Sequence, residues 1–136
     1  MARILALDYG TKRTGIAATD PLQIIVNPLT VVETPGLMDF LENYLNTEDV
    51  CKIVIGQGVH PDGSEYYFEG EIKELINKLN RKFPEIETDR QDESLTSSES
   101  REIIMKSGIK KKKRRDKSLI DKISAVLILQ RYLKHF

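Results

Sequence analysis

Carboxylates stand at three distant places in this chain where folding could gather them. Asp8 ends a short apolar run, Ile4-Leu5-Ala6-Leu7, and opens the segment Asp8-Tyr9-Gly10-Thr11-Lys12-Arg13-Thr14-Gly15. Asp92 and Glu93 follow the polar stretch from Glu85 to Arg90, and Asp121 sits early in the last apolar segment. An acid at the end of a buried strand is costly unless something pairs with it. Gly10 and Gly15 bracket a tight turn that leaves the backbone open to a ligand. Lys12 and Arg13 add positive charge at the same rim. Acids, a glycine turn and two cations make a place to hold a metal ion and a phosphate. Hard oxygen ligands suit Mg²⁺ or Mn²⁺, with waters and substrate phosphate completing the octahedron. Two such ions would activate a water and stabilise the leaving oxygen of a phosphodiester.

Each residue alone has a plainer explanation. The glycine turn could be a hairpin with a solvated charged tip, since short glycine motifs recur by chance. Asp121 near a helix N-terminus is favourable through the dipole alone. Glu93 could be a solvated loop acid, and Asp92 a competing ligand or a helix-entry acid. Only the joint pattern raises the metal reading above these.

The elements that must position these acids follow from periodicity. Residues 3–9 and 13–19 read as two strands joined by the glycine turn. A third extended run covers Gln23 to Val32, and Pro28 places it at a sheet edge. Thr34-Pro35-Gly36 should start a helix, with Thr34 as cap and Pro35 in its first turn. Leu37, Phe40, Leu41, Tyr44 and Leu45 form its buried stripe. Cys51 to Ile55 is a continuous apolar strand, suited to a sheet covered on both faces. Gly56-Gln57-Gly58 hints at a dinucleotide fingerprint, but Pro61 stands where the third glycine is needed.

A helix is expected from about Ser64 to Lys82, with Phe68, Ile72, Leu75, Ile76 and Leu79 on one face. Glu85 to Arg90 reads as a short fifth strand. Thr96-Ser97-Ser98-Glu99 is a capping box and should open a helix closed by Gly108. The last helix runs from about Ser118 to Lys134. On it, Asp121, Ser124, Ala125 and Ile128 share a face, small enough at its centre to approach the sheet closely.

The expected fold is α/β: one domain over residues 1–136. Its five-stranded mixed sheet combines a three-stranded antiparallel meander with two parallel strands. Right-handed crossovers put helices on both faces. The first strand should be central. Parallel neighbours end on one side of a sheet, so an acid after strand five can approach strand one.

Composition narrows the function classes. The chain has 136 residues, enough for a core without staples. No stretch approaches the roughly 18 apolar residues of a membrane span, and the start lacks a signal-peptide pattern. A cytoplasmic protein without a membrane partner, as a monomer or weak dimer, is the expectation. The single Cys51 gives no disulfide framework and reads as a core thiol; zinc ligation has no support. With only His60 and His135, serine-triad chemistry has little support either. The formal net charge of zero hides an asymmetry: residues 101–136 carry 12 Lys and Arg against 3 Asp and Glu, the rest 9 against 18. The basic end suits nucleic acid.

Four segments resemble, in order, the YqgF/RuvX family. The first is residues 4–17 with Thr19-Asp20. The second is Val54-Ile55-Gly56 with Asp62-Gly63-Ser64. The third is Asp92-Glu93-Ser94-Leu95-Thr96-Ser97. The fourth is Asp121-Lys122-Ile123-Ser124-Ala125-Val126-Leu127-Ile128-Leu129-Gln130. The resemblance implies a ribonuclease H-like three-layer fold related to Holliday-junction resolvases. It places Asp8, Glu93 and Asp121 at the family's three acidic, metal-holding positions. It implies a metal-dependent phosphodiester hydrolase acting on structured RNA, in end maturation of pre-16S ribosomal RNA. Two departures bear on substrate preference more than on fold. Ser94 stands where the family usually has Arg, and Gln57 with Val59-His60-Pro61 replaces the usual L-P-x-x.

Seven of the eight residues from Lys110 to Lys117 are cationic. A solvated loop would explain the run. Beside a nuclease site, Lys112, Lys113, Arg114 and Arg115 would join Gly10, Thr11, Lys12 and Arg13 in holding substrate phosphates. Arg114 and Arg115 can do so bidentately. No aromatics interleave the run, so it would position the backbone rather than read bases. Tyr66, Tyr67 and Phe68 could stack on bases, but the expectation is core packing.

Competing readings are a dimeric nuclease cutting branched DNA, a non-catalytic RNA-binding factor in ribosomal particle assembly, and an actin-like phosphotransferase. The last normally needs a second duplicated half, for which 136 residues leave no room.

Overall fold

The computed structural model describes residues 2–58, 62–92 and 117–134. The helix expected to open at Thr96 and close at Gly108 lies outside them. The strands are β1 (Arg3–Asp8), β2 (Arg13–Thr19), β3 (Val26–Glu33), β4 (Val50–Gln57) and β5 (Glu87–Asp92). The helices are α1 (Leu37–Thr47), α2 (Glu69–Lys82) and α3 (Lys117–Tyr132). One sheet takes the order β3-β2-β1-β4-β5, so β1 is central as its apolar run demands. β1 pairs antiparallel with β2 and parallel with β4; β5 continues the parallel half.

Alternation along the strands divides the core into two layers. Leu5, Leu7, Ile16, Ile53 and Ile55 face one way and bury the apolar stripes of α1 and α2. Ile4, Ala6, Ala17 and Val54 face the other and meet Ala125, Ile128 and Leu129 of α3. The predicted stripes of all three helices are thus seated on the sheet. No helix among the described residues is long and apolar enough to cross a membrane.

The structure corrects several boundaries. β3 begins at Val26 rather than Gln23 because Asp20 organises the preceding turn. Its carboxylate accepts the N–H groups of Leu22, Ile24 and Ile25, and Gln23 takes a left-handed φ of 60°. Pro28 does lie on the edge strand, where the register with β2 shifts. Thr34 is not the cap of α1. A 3₁₀ turn, Thr34–Gly36, precedes that helix, and the Thr34 hydroxyl instead bonds the Gly10 carbonyl and lies 3.0 Å from Thr14 Oγ1. α2 begins at Glu69 rather than Ser64. Asp62 accepts both the N–H and the hydroxyl of Ser64, a local bonding pattern that competes with helix. β5 ends at Asp92, two residues beyond the expected Arg90. Cys51 is half-buried and packs beside the α3 layer, as a thiol should.

The closest approach of helix to sheet is at Gly15. A Cβ there would collide with the backbone carbonyl and carbon of Asp121. Gly15→Ala must therefore push α3 off β2, and overpacking of this kind costs about 1–3 kcal/mol. Gly36→Ala, where a Cβ meets nothing within 4 Å, should stay within about 0.5 kcal/mol of wild type. Urea midpoints of the two variants check this; equal midpoints would remove Gly15 as the seat of α3.

Candidate active site

The site begins with the register of two strands. Asp8, the last residue of β1, lies directly opposite Gly15. Alternation from Ile4 and Ala6 turns Asp8 to the α3 face of the sheet. Directly opposed Cβ positions are about 4.5–5.5 Å apart, and Gly15 has no side chain to fill its half. The backbone of Asp121 occupies that space. Two acids separated by more than a hundred residues are thereby brought to one end of β1, on one face.

Arg13 fixes how Asp121 points. It precedes Gly15 by two residues on β2, so it shares the α3 face. Its Nε donates to Asp121 Oδ2 at 3.2 Å. Both side chains are only partly exposed, so the pair is firmer than a surface ion pair. The Asp121 carboxylate is thus drawn toward the turn end of the hairpin, the same edge that Asp8 occupies.

The rest of the glycine turn is held from the opposite face. Thr34 bonds the Gly10 carbonyl, and its own N–H donates to the Lys12 carbonyl at 2.9 Å. A Cβ on Gly10 would press on the Arg13 carbonyl oxygen. Thr11 and Lys12 are left exposed at the tip. Tyr9 turns away from the acids into the α1/α2 layer and donates to Glu71 Oε1 at 2.9 Å. Burial first, then that bond, pushes the Tyr9 phenol up to about 12.

The parallel strands end beside this edge. Gln57 pairs with Asp92 and Gly56 with Gln91. Asp89 receives the Tyr132 hydroxyl of α3 at 2.7 Å, so Asp89 and Gln91 belong to the α3 face. Arg90 and Asp92 belong by alternation to the other. Glu93, Lys112, Lys113, Arg114 and Arg115 lie outside the described residues. Among the described residues no cluster of three or more acids, histidines or cysteines forms a metal cage. The cavities described are elsewhere: one of about 240 Å³, lined by Tyr9, Thr34, Leu37 and Glu71 among others, opens on the α1/α2 side. Neither described cavity is lined by Asp8 or Asp121.

One contributor escaped the sequence reading. Arg90 donates through NH1 and NH2 to both Glu69 oxygens, at 2.8 and 2.6 Å, and also bonds the carbonyls of Ile55 and Gly56. It ties the start of α2 to the ends of β4 and β5. Glu69 is buried, 4% exposed, and the Arg90 bond holds its carboxyl below the usual range against the opposing effect of burial. The only advance signal was an arginine in an otherwise acidic and polar strand.

The three layers and the sheet order define a ribonuclease H-like α/β fold. Solved resolvases share it. The fowlpox virus resolvase in complex with Holliday junction DNA aligns with a TM-score of 0.60 over 98% of this chain and 97% of its own, at 8% identity. A second crystal structure of the fowlpox virus Holliday junction resolvase aligns at 0.57 and 10% identity, covering 98% of both chains. At the level of sequence, the family model RuvX, described as Holliday junction resolvase, matches residues 2–135. The chain belongs to that family. A relative from Christiangramia forsetii is 48% identical over 133 residues, 98% of each chain. One from Porphyromonas gingivalis is 47% identical over 98% of this chain and 96% of its own. Both bear the name "Putative pre-16S rRNA nuclease".

The Arg90 clamp makes stability depend on acid. A depressed Glu69 carboxyl contributes stability fully above its unfolded value of about 4.3 and loses it as pH falls through the lower folded value. Glu69→Gln should therefore flatten the stability–pH curve below about pH 5. Arg90→Met leaves a buried carboxylate unpaired and should cost about 3 kcal/mol at neutral pH. Denaturation at pH 7 and pH 4 reads both; a Glu69→Gln curve as steep as wild type would contradict the assignment.

Proposed function

We propose that this protein is a metal-dependent nuclease that hydrolyses RNA phosphodiester bonds, acting in the cytoplasm on the precursor of 16S ribosomal RNA. The observation that carries the reading is the meeting of Asp8 and Asp121 at one sheet edge, in a chain nearly half identical to relatives named for that activity. The substrate comes from those names; the chemistry comes from the acids.

The donor set fits a hard divalent cation. Asp8 and Asp121 offer carboxylate oxygens on the α3 face, the hard donors that such a cation prefers. Glu93 is the third ligand in this proposal. That assignment comes from the resemblance of Asp92-Glu93-Ser94-Leu95-Thr96-Ser97 to the family's acidic segment. Mg²⁺ or Mn²⁺ bound there would polarise the phosphate and lower the pKa of an attacking water.

The chain's own residues prepare that site. Arg13 orients Asp121 and offsets its charge. The glycine turn, held by Thr34, presents Gly10, Thr11 and Lys12 to the phosphates of an incoming strand. Lys112, Lys113, Arg114 and Arg115 would add sequence-independent attraction for the same backbone. Nothing in this set reads base edges, so register would come from the shape of the RNA.

The test is cleavage of end-labelled precursor ribosomal RNA in Mg²⁺ or Mn²⁺, with a four-way DNA junction as a parallel substrate. Metal-dependent cleavage of the RNA that falls to background in Asp8→Asn is the expected result. Junction cleavage without RNA cleavage would transfer the proposal to branched DNA. RNA bound but left uncut by wild type and variant alike would favour an assembly factor. Neutralising residues 110–115 should reduce the salt slope of RNA binding by about 0.7–0.9 for each phosphate that the run neutralises. An unchanged slope would remove the run from the interface.

A further inference from the structure

Four aromatic rings gather at the ends of β1 and β4 on the α1/α2 side of the sheet, and they are not equally buried. Phe68 lies at the centre, with ring centroids 6.0 Å from Tyr9, 5.3 Å from Tyr66 and 5.4 Å from Tyr67. Tyr9 is the residue after Asp8 and is buried in the α1/α2 layer. The Tyr66 ring lies over Gly58, just past the end of β4, where a Cβ would strike it. Tyr67 is different: it is 84% exposed, the most exposed of the large apolar side chains described. Its ring stands at 86° to that of Phe68, and its high exposure leaves most of the ring surface open.

The position of Tyr67 is rigidly supported. The turn that carries it leads into α2 through the bonds of Glu69 N–H to the Tyr66 carbonyl and Ile72 N–H to the Phe68 carbonyl. Glu69 is clamped by Arg90, which also holds the ends of β4 and β5. Tyr67 is therefore an exposed ring on a fixed base, joined through Phe68 to the residue that follows Asp8. A pre-positioned tyrosine loses little conformational freedom on binding. Its flat face suits an unpaired nucleobase, which stacks on aromatic side chains without demanding a sequence.

We propose that Tyr67 is a substrate-binding residue that stacks on an unpaired base of the RNA strand as that strand leaves the carboxylate edge. The proposal rests on the nuclease reading above and adds to it a preference for unpaired over fully duplex RNA. The glycine turn and basic run hold phosphates; Tyr67 holds a base. This assigns to Tyr67 a role that core packing cannot fill.

The test is binding of a single-stranded oligoribonucleotide carrying 2-aminopurine, and of the matching full duplex, without added metal so that the strand stays whole. Wild type, Tyr67→Ala and Tyr67→Phe are compared. Tyr67→Ala should weaken single-strand binding roughly ten-fold and lose the quenching of 2-aminopurine emission. Tyr67→Phe keeps the ring and should match wild type in both. Duplex affinity should be equal in all three. Equal single-strand affinity and quenching across the three proteins would overturn the stacking role while leaving the nuclease reading intact. No binding of either RNA by wild type would overturn the stacking role, while cleavage in Mg²⁺ or Mn²⁺ decides the nuclease reading separately. Equal losses on duplex and single strand would make Tyr67 a general binding residue and also reject the proposal.

Discussion

Everything at the candidate site depends on a missing side chain. Gly15 stands opposite Asp8, and the backbone of Asp121 lies where a Cβ would be. That single close approach places α3 on the sheet at the level where β1 ends. It also explains the small residues downstream: Ser124 and Ala125 are almost fully buried on the same helix face. The helix comes close because both surfaces have been cleared. Once it is close, Asp8 and Asp121 stand at one end of β1 on one face of the sheet. Arg13 pairs with the Asp121 carboxylate there. Under the proposed function, a bound cation would offset the charge of both acids at this edge.

The two faces of the sheet divide the work. The α3 face brings acids together. The α1/α2 face fixes the backbone from which they project. Thr34 reaches from the 3₁₀ turn to the Gly10 carbonyl and to Thr14, and Tyr9 reaches to Glu71. Arg90 does the same for the parallel half by gathering two carbonyls of β4 and the Glu69 carboxylate. None of these groups lies on the face that carries the acids. Their contribution is rigidity: an edge whose strand ends cannot shift independently.

Much of this arrangement was legible in the sequence, for definite reasons. Apolar runs at Ile4–Leu7 and Ile53–Ile55 and helical stripes at Leu37–Leu45 and Phe68–Leu79 report burial, and burial is what patterning encodes. The face shared by Asp121, Ser124, Ala125 and Ile128 was visible for the same reason. What periodicity misses is local competition for backbone groups. Asp20 and Asp62 bind nearby N–H groups and delay the elements that follow them. Thr34 has the chemistry of a helix cap, yet a partner distant in sequence takes its hydroxyl. Arg90 looked like one more polar residue because its acceptors come from other elements. Tyr67 looked like its neighbours Tyr66 and Phe68, since exposure of one ring in a row of three is set by the turn and not by composition. The role of Glu93 comes from the resemblance and that of the basic run at residues 110–115 from its charge, and both are part of the proposal.

The central claim is that Asp8 and Asp121 act on the same divalent ion. Mn²⁺ affinity measured for wild type, Asp8→Asn, Asp121→Asn and the double variant tests it without reference to any substrate. Residues that share one ligand couple strongly, so their losses do not add. The account predicts that each single variant loses nearly all of the affinity that the double variant loses. Losses that sum, or Mn²⁺ binding unchanged by either substitution, would mean that the two carboxylates are neighbours without a common ion, and the metal-dependent mechanism would have to be abandoned.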